Sequence, residues 1–203
     1  MAVGGKVYAI GGVDDDDERC DAVEAYNPIS GAWTRMASLP VARCSHTATV
    51  VEGKIYVVGG VRMDPDDNED GEVVMDRVDV YDPAADSWQQ LAAMPTAKYS
   101  HAAAVLDGKI YASGGFTTSG DASDALEAYD PVANTWTTLA SLSQARTSHA
   151  SAVVRGKLYV FGGFSDSAGR TMDLVEVYSP ASNSWASLAD PPSTFERSVA
   201  VAL

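Results

Sequence analysis

Cysteine is nearly absent from this chain of 203 residues, which contains only Cys20 and Cys44. Two cysteines exclude a fold that depends on several disulfides and favour a reducing compartment, so we expect an intracellular, cytoplasmic protein. Long apolar runs are missing too, because no run approaches the roughly 18 residues that a membrane-spanning helix requires. The chain is nevertheless long enough to bury a core without a disulfide or a metal.

Basic residues are scarce relative to acidic ones. The chain has 14 lysines and arginines against 28 aspartates and glutamates, which gives a net charge of −14. This balance disfavours nucleic acids and anionic membranes as partners. Basic peptides, basic protein surfaces and cations stay open as partners.

A helical pattern is the last notable absence, since no segment of 11 or more residues places apolar residues at helical spacing. Short runs of alternating residues are present instead, as at 54–58 and 77–81. Turn residues such as Glu52-Gly53 bound these runs. The pattern predicts antiparallel strands joined by tight turns.

Four markers recur in order at a spacing of about 48 to 55 residues, which indicates a repeat protein. Each copy contains a glycine pair, then a tyrosine, then a tryptophan: Gly11-Gly12, Tyr26 and Trp33; Gly59-Gly60, Tyr81 and Trp88; Gly114-Gly115, Tyr129 and Trp136; Gly162-Gly163, Tyr178 and Trp185. The glycines allow close backbone approach, and the aromatic rings supply flat surfaces between adjacent sheets. We therefore interpret all of these markers as structural.

With the turns that follow the tyrosines, these markers resemble the kelch repeat family over essentially the whole chain. The turns are Tyr26-Asn27-Pro28, Tyr81-Asp82-Pro83, Tyr129-Asp130-Pro131 and Tyr178-Ser179-Pro180. The resemblance implies an all-β fold, a β-propeller of four kelch-type blades with four antiparallel strands each. It implies little about activity, because one fold hosts many functions.

We expect one domain over 1–203, with blade 1 from 1–40 plus 196–203, blade 2 from 43–95, blade 3 from 98–143 and blade 4 from 146–192. The first copy lacks its own first strand, and residues 198–203 resemble 45–50. This predicts that the C-terminal strand pairs with the N-terminal blade and removes an unpaired edge. Four repeats also fit an excised part of a larger ring, or an open half that pairs with a second copy, although we favour a monomer.

The segments before the first strands supply the candidate binding residues. They read Arg43-Cys-Ser-His46, Lys98-Tyr-Ser-His101 and Arg146-Thr-Ser-His149, whereas Glu196-Arg-Ser-Val199 breaks the pattern. In peptide-binding kelch domains, arginines and serines at such positions face the ligand at the mouth of the channel. This resemblance assigns ligand contacts to Arg43, Ser45, Lys98, Tyr99, Ser100, Arg146, Ser148, Arg197 and Ser198. The alternative is that these side chains satisfy loop backbone groups and lock the blades together.

The loops after the glycine pairs differ most between copies, so function is expected there as well. Their carboxylates, at 14–18 and 64–72, fit a solvated acidic loop, a contact with a basic partner or a cation site. The three histidines, His46, His101 and His149, fit hydrogen bonding within the blades better than a shared metal.

No recognised catalytic motif is present, and no cofactor is expected. The copper and iron ligand sets of kelch enzymes cannot be assembled; in the iron motif, Glu72 and Asp76 fit but Val80 stands in the histidine position. We expect a protein- or peptide-binding module that acts through the channel mouth and the loops after the glycine pairs. The alternatives are a small carbohydrate-acting or metal-dependent kelch enzyme, and a structural subunit of a larger assembly.

Overall fold

The computed structural model describes residues 1–64, 71–167 and 169–189. These residues form strands, turns and loops, and no helix occurs among them. The chain divides into two compact units, Met1–Tyr99 and Ser100–Leu203. Each unit contains two four-stranded antiparallel sheets.

The first unit contains the first and second sheets. The first sheet pairs, in this order, β1 (Ala2–Val3), β2 (Lys6–Ile10), β3 (Val23–Asn27) and β4 (Ala32–Arg35). The second sheet pairs β5 (Thr47–Val51), β6 (Lys54–Val58), β9 (Val78–Asp82) and β10 (Ser87–Gln90). A separate hairpin of β7 (Val61–Met63) and β8 (Glu72–Val74) projects between β6 and β9.

The second unit repeats this plan with the third and fourth sheets. The third sheet pairs β11 (Ala102–Leu106), β12 (Lys109–Ser113), β13 (Leu126–Asp130) and β14 (Thr135–Leu139). The fourth sheet pairs β15 (Ala150–Val154), β16 (Lys157–Phe161), β19 (Val175–Ser179) and β20 (Ser184–Ser187). A short hairpin of β17 (Phe164–Ser165) and β18 (Arg170–Thr171) follows β16.

Two kinds of turn set the register of these sheets. Between β5 and β6, Glu52 and Gly53 both have positive φ, 48° and 76°, as a two-residue hairpin turn with the twist of its strands requires. Between the third and fourth strands of the second sheet, the Asp82 carboxylate accepts the N–H of Ala84 at 2.9 Å. This short-range bond fixes the turn that the Tyr-Asp-Pro sequence predicts.

The core of each unit lies between its two sheets. In the first unit, apolar residues of one sheet face those of the other: Tyr8, Val23, Ala25 and Leu39 face Ile55, Val57 and Tyr81. In the second unit the matching set is Leu106, Tyr111, Leu126 and Ala128 with Leu158, Val160 and Tyr178. Burying these side chains supplies the main stabilising term of the fold.

The repeated tyrosines and tryptophans have the structural role predicted for them. In every copy the two rings pack together, with centroids 4.9 to 5.2 Å apart. The tryptophan also joins two sheets, since the indole N–H of Trp88 donates to the carbonyl of Ala37 at 2.8 Å. In the second unit Trp185 donates to Ala140 at 2.7 Å.

The structure confirms the predicted all-β fold with four four-stranded antiparallel sheets. The predicted pairing of the C-terminal strand with the N-terminal blade lies outside the described residues, so blade 1 over 1–40 plus 196–203 stays a prediction. The loop after the second glycine pair differs from expectation, because its described parts form the β7–β8 hairpin.

Candidate functional site

The serine in each segment before a first strand adopts a left-handed backbone. The φ angles are 52° at Ser45, 50° at Ser100 and 52° at Ser148. This conformation is rare for residues other than glycine and costs on the order of 1 kcal/mol, so surrounding contacts have to hold it.

The preceding glycine pair provides part of that hold. Gly12 donates its N–H to the carbonyl of Arg43 at 3.0 Å. A side chain on Gly11 would put its Cβ 2.8 Å from that same carbonyl oxygen and 2.9 Å from the ring of His46. Only glycine allows this close approach, which places the serine segment against the preceding sheet.

The cations of these segments point into the protein. Arg43 and Arg146 have no exposed surface. Arg43 is ion-paired with Asp79 on β9, and Arg146 with Glu176 on β19. Burial lowers the pKa of both guanidiniums, and the partner carboxylates oppose that effect.

Lys98 is also fully buried. The burial of all three side chains differs from the expectation that Arg43, Lys98 and Arg146 face a ligand. The physical reason is that a charge in the interior needs a counter-charge and hydrogen bonds. Arg146 has both, since it also donates to the carbonyls of Gly162 at 3.2 Å and Leu174 at 3.3 Å. These cations therefore stabilise the interior, as the alternative interpretation of their role proposed.

Sequence reasoning missed the acids that receive these cations. An acidic residue occupies the second position of the third strand in all four copies: Glu24, Asp79, Glu127 and Glu176. The signal available in the sequence was that this acid recurs at a similar distance after the Arg or Lys of the segment that precedes it in the same copy. It indicates a buried pair, because isolated charges are rarely buried.

The remaining candidates keep solvent access. Ser45 is exposed, and Tyr99, Ser100 and Ser148 are half-buried. In the second unit the structure brings two segments together, since Ser148 donates its N–H to the carbonyl of Ser100 at 2.9 Å. Hydroxyls at these positions can donate to or accept from a polar ligand. Arg197 and Ser198 lie outside the described residues.

Two of the histidines have contacts that favour a structural role. The Nε2 atom of His149 lies 2.9 Å from the hydroxyl of Ser113. Burial and the charge of Arg43 lower the pKa of His46 to about 4, so this ring is neutral near pH 7. Within the described parts of the chain, no cluster of three or more His, Cys, Asp or Glu side chains is arranged to hold a metal ion.

The loops of the first unit form a groove beside the β7–β8 hairpin. At one end a cleft of about 280 Å³ is lined by Asp16, Asp17, Glu18, Arg19, Met63 and Glu72. Two further clefts of about 240 and 270 Å³ follow, and they share Val41 and Arg62. Because adjacent clefts have lining residues in common, we treat them as one surface, the hairpin groove.

Local hydrogen bonds shape the acidic end of the hairpin groove. The Asp14 carboxylate accepts the N–H groups of Asp16 at 3.0 Å and Glu18 at 2.9 Å. Arg19 is ion-paired with Glu72 on β8, which joins the first loop to the hairpin. This end of the groove therefore has a wall fixed by hydrogen bonds, with more carboxylates than cations, next to the apolar Val41 and Met63.

Comparison with known proteins agrees with the repeat analysis. The model of the KLHDC2/KLHL20/DRC7 Kelch-repeats domain matches residues 1–202. Kelch-like ECH-associated protein 1B of Danio rerio is 38% identical over 109 residues, which cover 54% of this chain and 18% of that protein. Kelch-like protein 33 of Homo sapiens is 33% identical over 114 residues, 55% of this chain and 20% of that protein. The chain thus spans about a fifth of the length of these curated relatives.

A solved structure shares the fold. The structure of YjhT matches with a TM-score of 0.76 and 19% identity, over 97% of this chain and 68% of that chain. No helix in the described residues has the length and apolar character needed to cross a membrane. On its repeats, its sheets and the match over residues 1–202, the chain belongs to the family of the KLHDC2/KLHL20/DRC7 Kelch-repeats domain.

Proposed function

We propose that this kelch-repeat chain binds a peptide segment of a partner protein and does not catalyse a reaction. The observation that carries the proposal is the hairpin groove, whose linked clefts give an elongated surface with apolar and charged walls. The names of the relatives agree with it, since one of them is called an ECH-associated protein. The location of this chain in a reducing cytoplasm stays a prediction. Cys20 and Cys44 are both free thiols, which agrees with such a compartment.

The chemistry of the groove favours an extended segment with a basic residue. Asp16, Asp17 and Glu18 line one end, where Arg19 is the one cation among the described lining residues and is already paired with Glu72. A lysine or arginine of the ligand would meet surplus negative charge there. An apolar side chain would lie farther along, against Val41 and Met63.

The serine segments supply a further candidate contact, taken in each unit by itself. The exposed hydroxyl of Ser45 in the first unit, and the half-buried hydroxyls of Ser100 and Ser148 in the second, can bond a ligand's backbone or polar groups. Tyr99 adds a half-buried ring with a polar tip, a common combination in binding surfaces. Direct contacts from Arg197 and Ser198 stay predictions.

A display experiment tests the proposal with a matched control. A library of random peptides is selected on the unmodified chain, and retained peptides are measured by titration calorimetry. The change Ala42→Arg fills the middle of the groove, and we expect it to weaken binding at least about tenfold. Ala145→Arg makes the same change at the matching position of the second unit, and it should leave affinity within about twofold.

Three outcomes would contradict the peptide-binding assignment to the groove. The first is a selection that enriches no peptide. The second is equal loss of affinity in Ala42→Arg and Ala145→Arg while both remain folded by circular dichroism. The third is saturable binding of a monosaccharide from a sugar panel, which would support the carbohydrate-acting alternative instead.

A further inference from the structure

The two ends of the hairpin groove differ in the sign of their charge. Carboxylates outnumber cations among the described lining residues of the acidic end, which are Asp16, Asp17, Glu18 and Glu72 against Arg19. The described charged residues that line the cleft at the opposite end are Arg62, Arg77 and Asp76. The charge therefore changes from negative to positive along the groove.

Arg77 is the cation that hydrogen bonds fix at the positive end. Its Nε donates to one carboxylate oxygen of Asp79 at 2.7 Å, and its Nη2 donates to the other at 2.8 Å. A two-point bond of this kind sets the plane and the position of a guanidinium. The Arg77 side chain is 22% exposed, so part of the group stays accessible from the cleft that it lines.

Asp79 does not neutralise Arg77, because it is also the ion-pair partner of Arg43. Two guanidiniums thus share one carboxylate, and the three side chains together carry one surplus positive charge. Burial lowers the pKa of Arg43, Asp79 opposes that effect, and the like charge of Arg77 lowers this pKa further. A surplus charge in a half-buried place is costly without a counter-charge, so this end of the groove favours an anion.

The other copies show that the repeat does not require a cation at the position of Arg77. The residue two places before the strand acid is apolar in each of them: Ala22, Ala125 and Leu174. In the second unit Arg146 is buried against Glu176 with Leu174 at this place. Arg77 is therefore not needed to bury the pair of Arg43 and Asp79, and its charge is available for another role.

Arg62 brings a second cation to the same end. It lies on β7, lines both the middle and the far cleft, and donates to the carbonyl of Met63 at 2.9 Å. Asp76 borders the far cleft but is exposed, where water screens its charge. An acidic group that enters the far cleft would therefore meet two guanidiniums and one screened carboxylate.

The length of the hairpin limits how far apart the two charged ends lie. Glu72 lines the acidic cleft and Arg77 the positive one, and they are five residues apart in sequence. Their Cα atoms are consequently at most about 18 Å apart. An extended peptide covers that distance with about five residues.

We propose that the hairpin groove binds a peptide that carries an acidic residue within about five residues of its basic residue. The acidic side chain bonds Arg77 and Arg62, while the basic one lies against the carboxylates of the opposite end. This inference rests on the proposed peptide-binding function and adds the charge pattern of the ligand. A peptide with basic residues alone would meet like charge at the far cleft.

A second peptide selection tests the charge pattern. The random peptide library is selected on the unmodified chain and, in parallel, on Arg77→Leu, which places an apolar residue where the other copies have one. Peptides retained by the unmodified chain should contain Asp or Glu within about five residues of Lys or Arg at least about threefold more often than the library does. On Arg77→Leu the excess of acids should vanish, while the excess of Lys and Arg persists.

Titration calorimetry then measures the contact itself. The most enriched peptide is compared with an analogue whose acidic residue is replaced by the corresponding amide. On the unmodified chain this replacement should weaken binding about tenfold, and on Arg77→Leu it should change affinity by less than about twofold. Arg170→Leu removes an equal charge from a 63% exposed side chain of the second unit, and it should show the full tenfold effect.

An amide analogue that binds the unmodified chain as tightly as its parent overturns the inference. This comparison needs no variant of the protein, so it decides the matter even if Arg77→Leu does not fold. Peptide binding in the groove itself still stands in that case if Ala42→Arg weakens both peptides.

Two further results are contrary. Equal losses on the unmodified chain and on a folded Arg77→Leu would show that the acidic residue binds elsewhere. A selection that enriches no peptide on the unmodified chain would overturn this inference and the proposed function together.

Discussion

In the first unit Arg43 shares its carboxylate partner with another arginine, whereas in the second unit Arg146 is the one described arginine paired with Glu176. Asp79 accepts hydrogen bonds from Arg77, at 2.7 Å from Nε and 2.8 Å from Nη2, besides its ion pair with Arg43. The position of Arg77 is Leu174 in the second unit, so among the described residues Glu176 pairs with one guanidinium, that of Arg146.

The difference shows two ways to bury an arginine at matching positions. Glu176 is one methylene longer than Asp79, and its second oxygen accepts the N–H of Ser143 at 3.1 Å. Arg146 bonds three carbonyls besides, including that of Gln144 at 3.4 Å. In the first unit, a second arginine adds hydrogen bonds to the buried carboxylate. In the second unit, more backbone carbonyls accept hydrogen bonds from the one buried arginine.

The largest expected effect is that of Arg146→Ala. The change leaves Glu176 buried with no cation, so the free energy of unfolding should fall by about 3–5 kcal/mol. Urea unfolding followed by circular dichroism measures it. The double variant Arg146→Met with Glu176→Leu should recover most of the loss, because neither charge is then left alone. A double variant as unstable as Arg146→Ala would contradict this account.

The same change in the first unit, Arg43→Ala, should cost less. Arg77 still pairs with Asp79, so we expect a loss of about 2–3 kcal/mol in the same urea experiment. Adding Arg77→Leu to Arg43→Ala removes the remaining cation and should bring the loss to the level of Arg146→Ala. Equal losses for the two single variants would show that the shared partner has no effect.

Acid should weaken the first unit through His46. Its pKa is about 4 in the folded chain and about 6.5 when unfolded. Between these values the unfolded state binds more protons, so stability is complete above about pH 6.5 and declines as pH falls to 4. We expect a decline of about 1–2 kcal/mol, which His46→Gln should remove. Identical pH profiles for the two proteins would refute this.

The smallest effect concerns Asp86, whose counterpart in the second unit is the uncharged Asn183. The hydrogen bonds from Ala37 and Tyr81 hold the pKa of Asp86 below its usual value. Its contribution is therefore present above about pH 4 and is lost as pH falls through the lower folded value. Asp86→Asn should lose less of its urea midpoint between pH 7 and about pH 3 than the unmodified chain does.

The reverse change, Asn183→Asp, gives the second unit the titrating acceptor that Asp86 provides in the first. It should make the second unit more sensitive to acid over the same range. If neither exchange alters the loss of urea midpoint on acidification, the link between sheets does not depend on the charge of this side chain.

The fold was accessible from the sequence because its signals are local and repeated. Glu52-Gly53 specifies a two-residue turn, and the Tyr81–Trp88 pair recurs in phase in every copy. The β7–β8 hairpin was missed, because Val61–Met63 is short and the residues after it read as a polar loop.

Whether the arginine and lysine side chains point into the protein or toward solvent could not be predicted from their own segments. Arg43 and Ser45 are two residues apart, yet one is fully buried and the other exposed. The left-handed backbone at Ser45 separates them, and the buried partner Asp79 lies 36 residues away in sequence. Such a pairing depends on which face of β9 points toward the Arg43 segment. The alternation of polar and apolar residues along a strand does not decide this when both faces of the strand are buried.

The close fit of Gly11 against the Arg43–His46 segment recurs at Gly114, which approaches the carbonyl of Arg146 and the ring of His149 in the same way. Within each unit, the glycine pair of the first repeat thus receives the segment that begins the second repeat. A tandem duplication of the coding segment for one repeat would supply the glycine pair and the segment that fits it at once. Evolution can lengthen or shorten such a chain by whole repeats without having to redesign any junction.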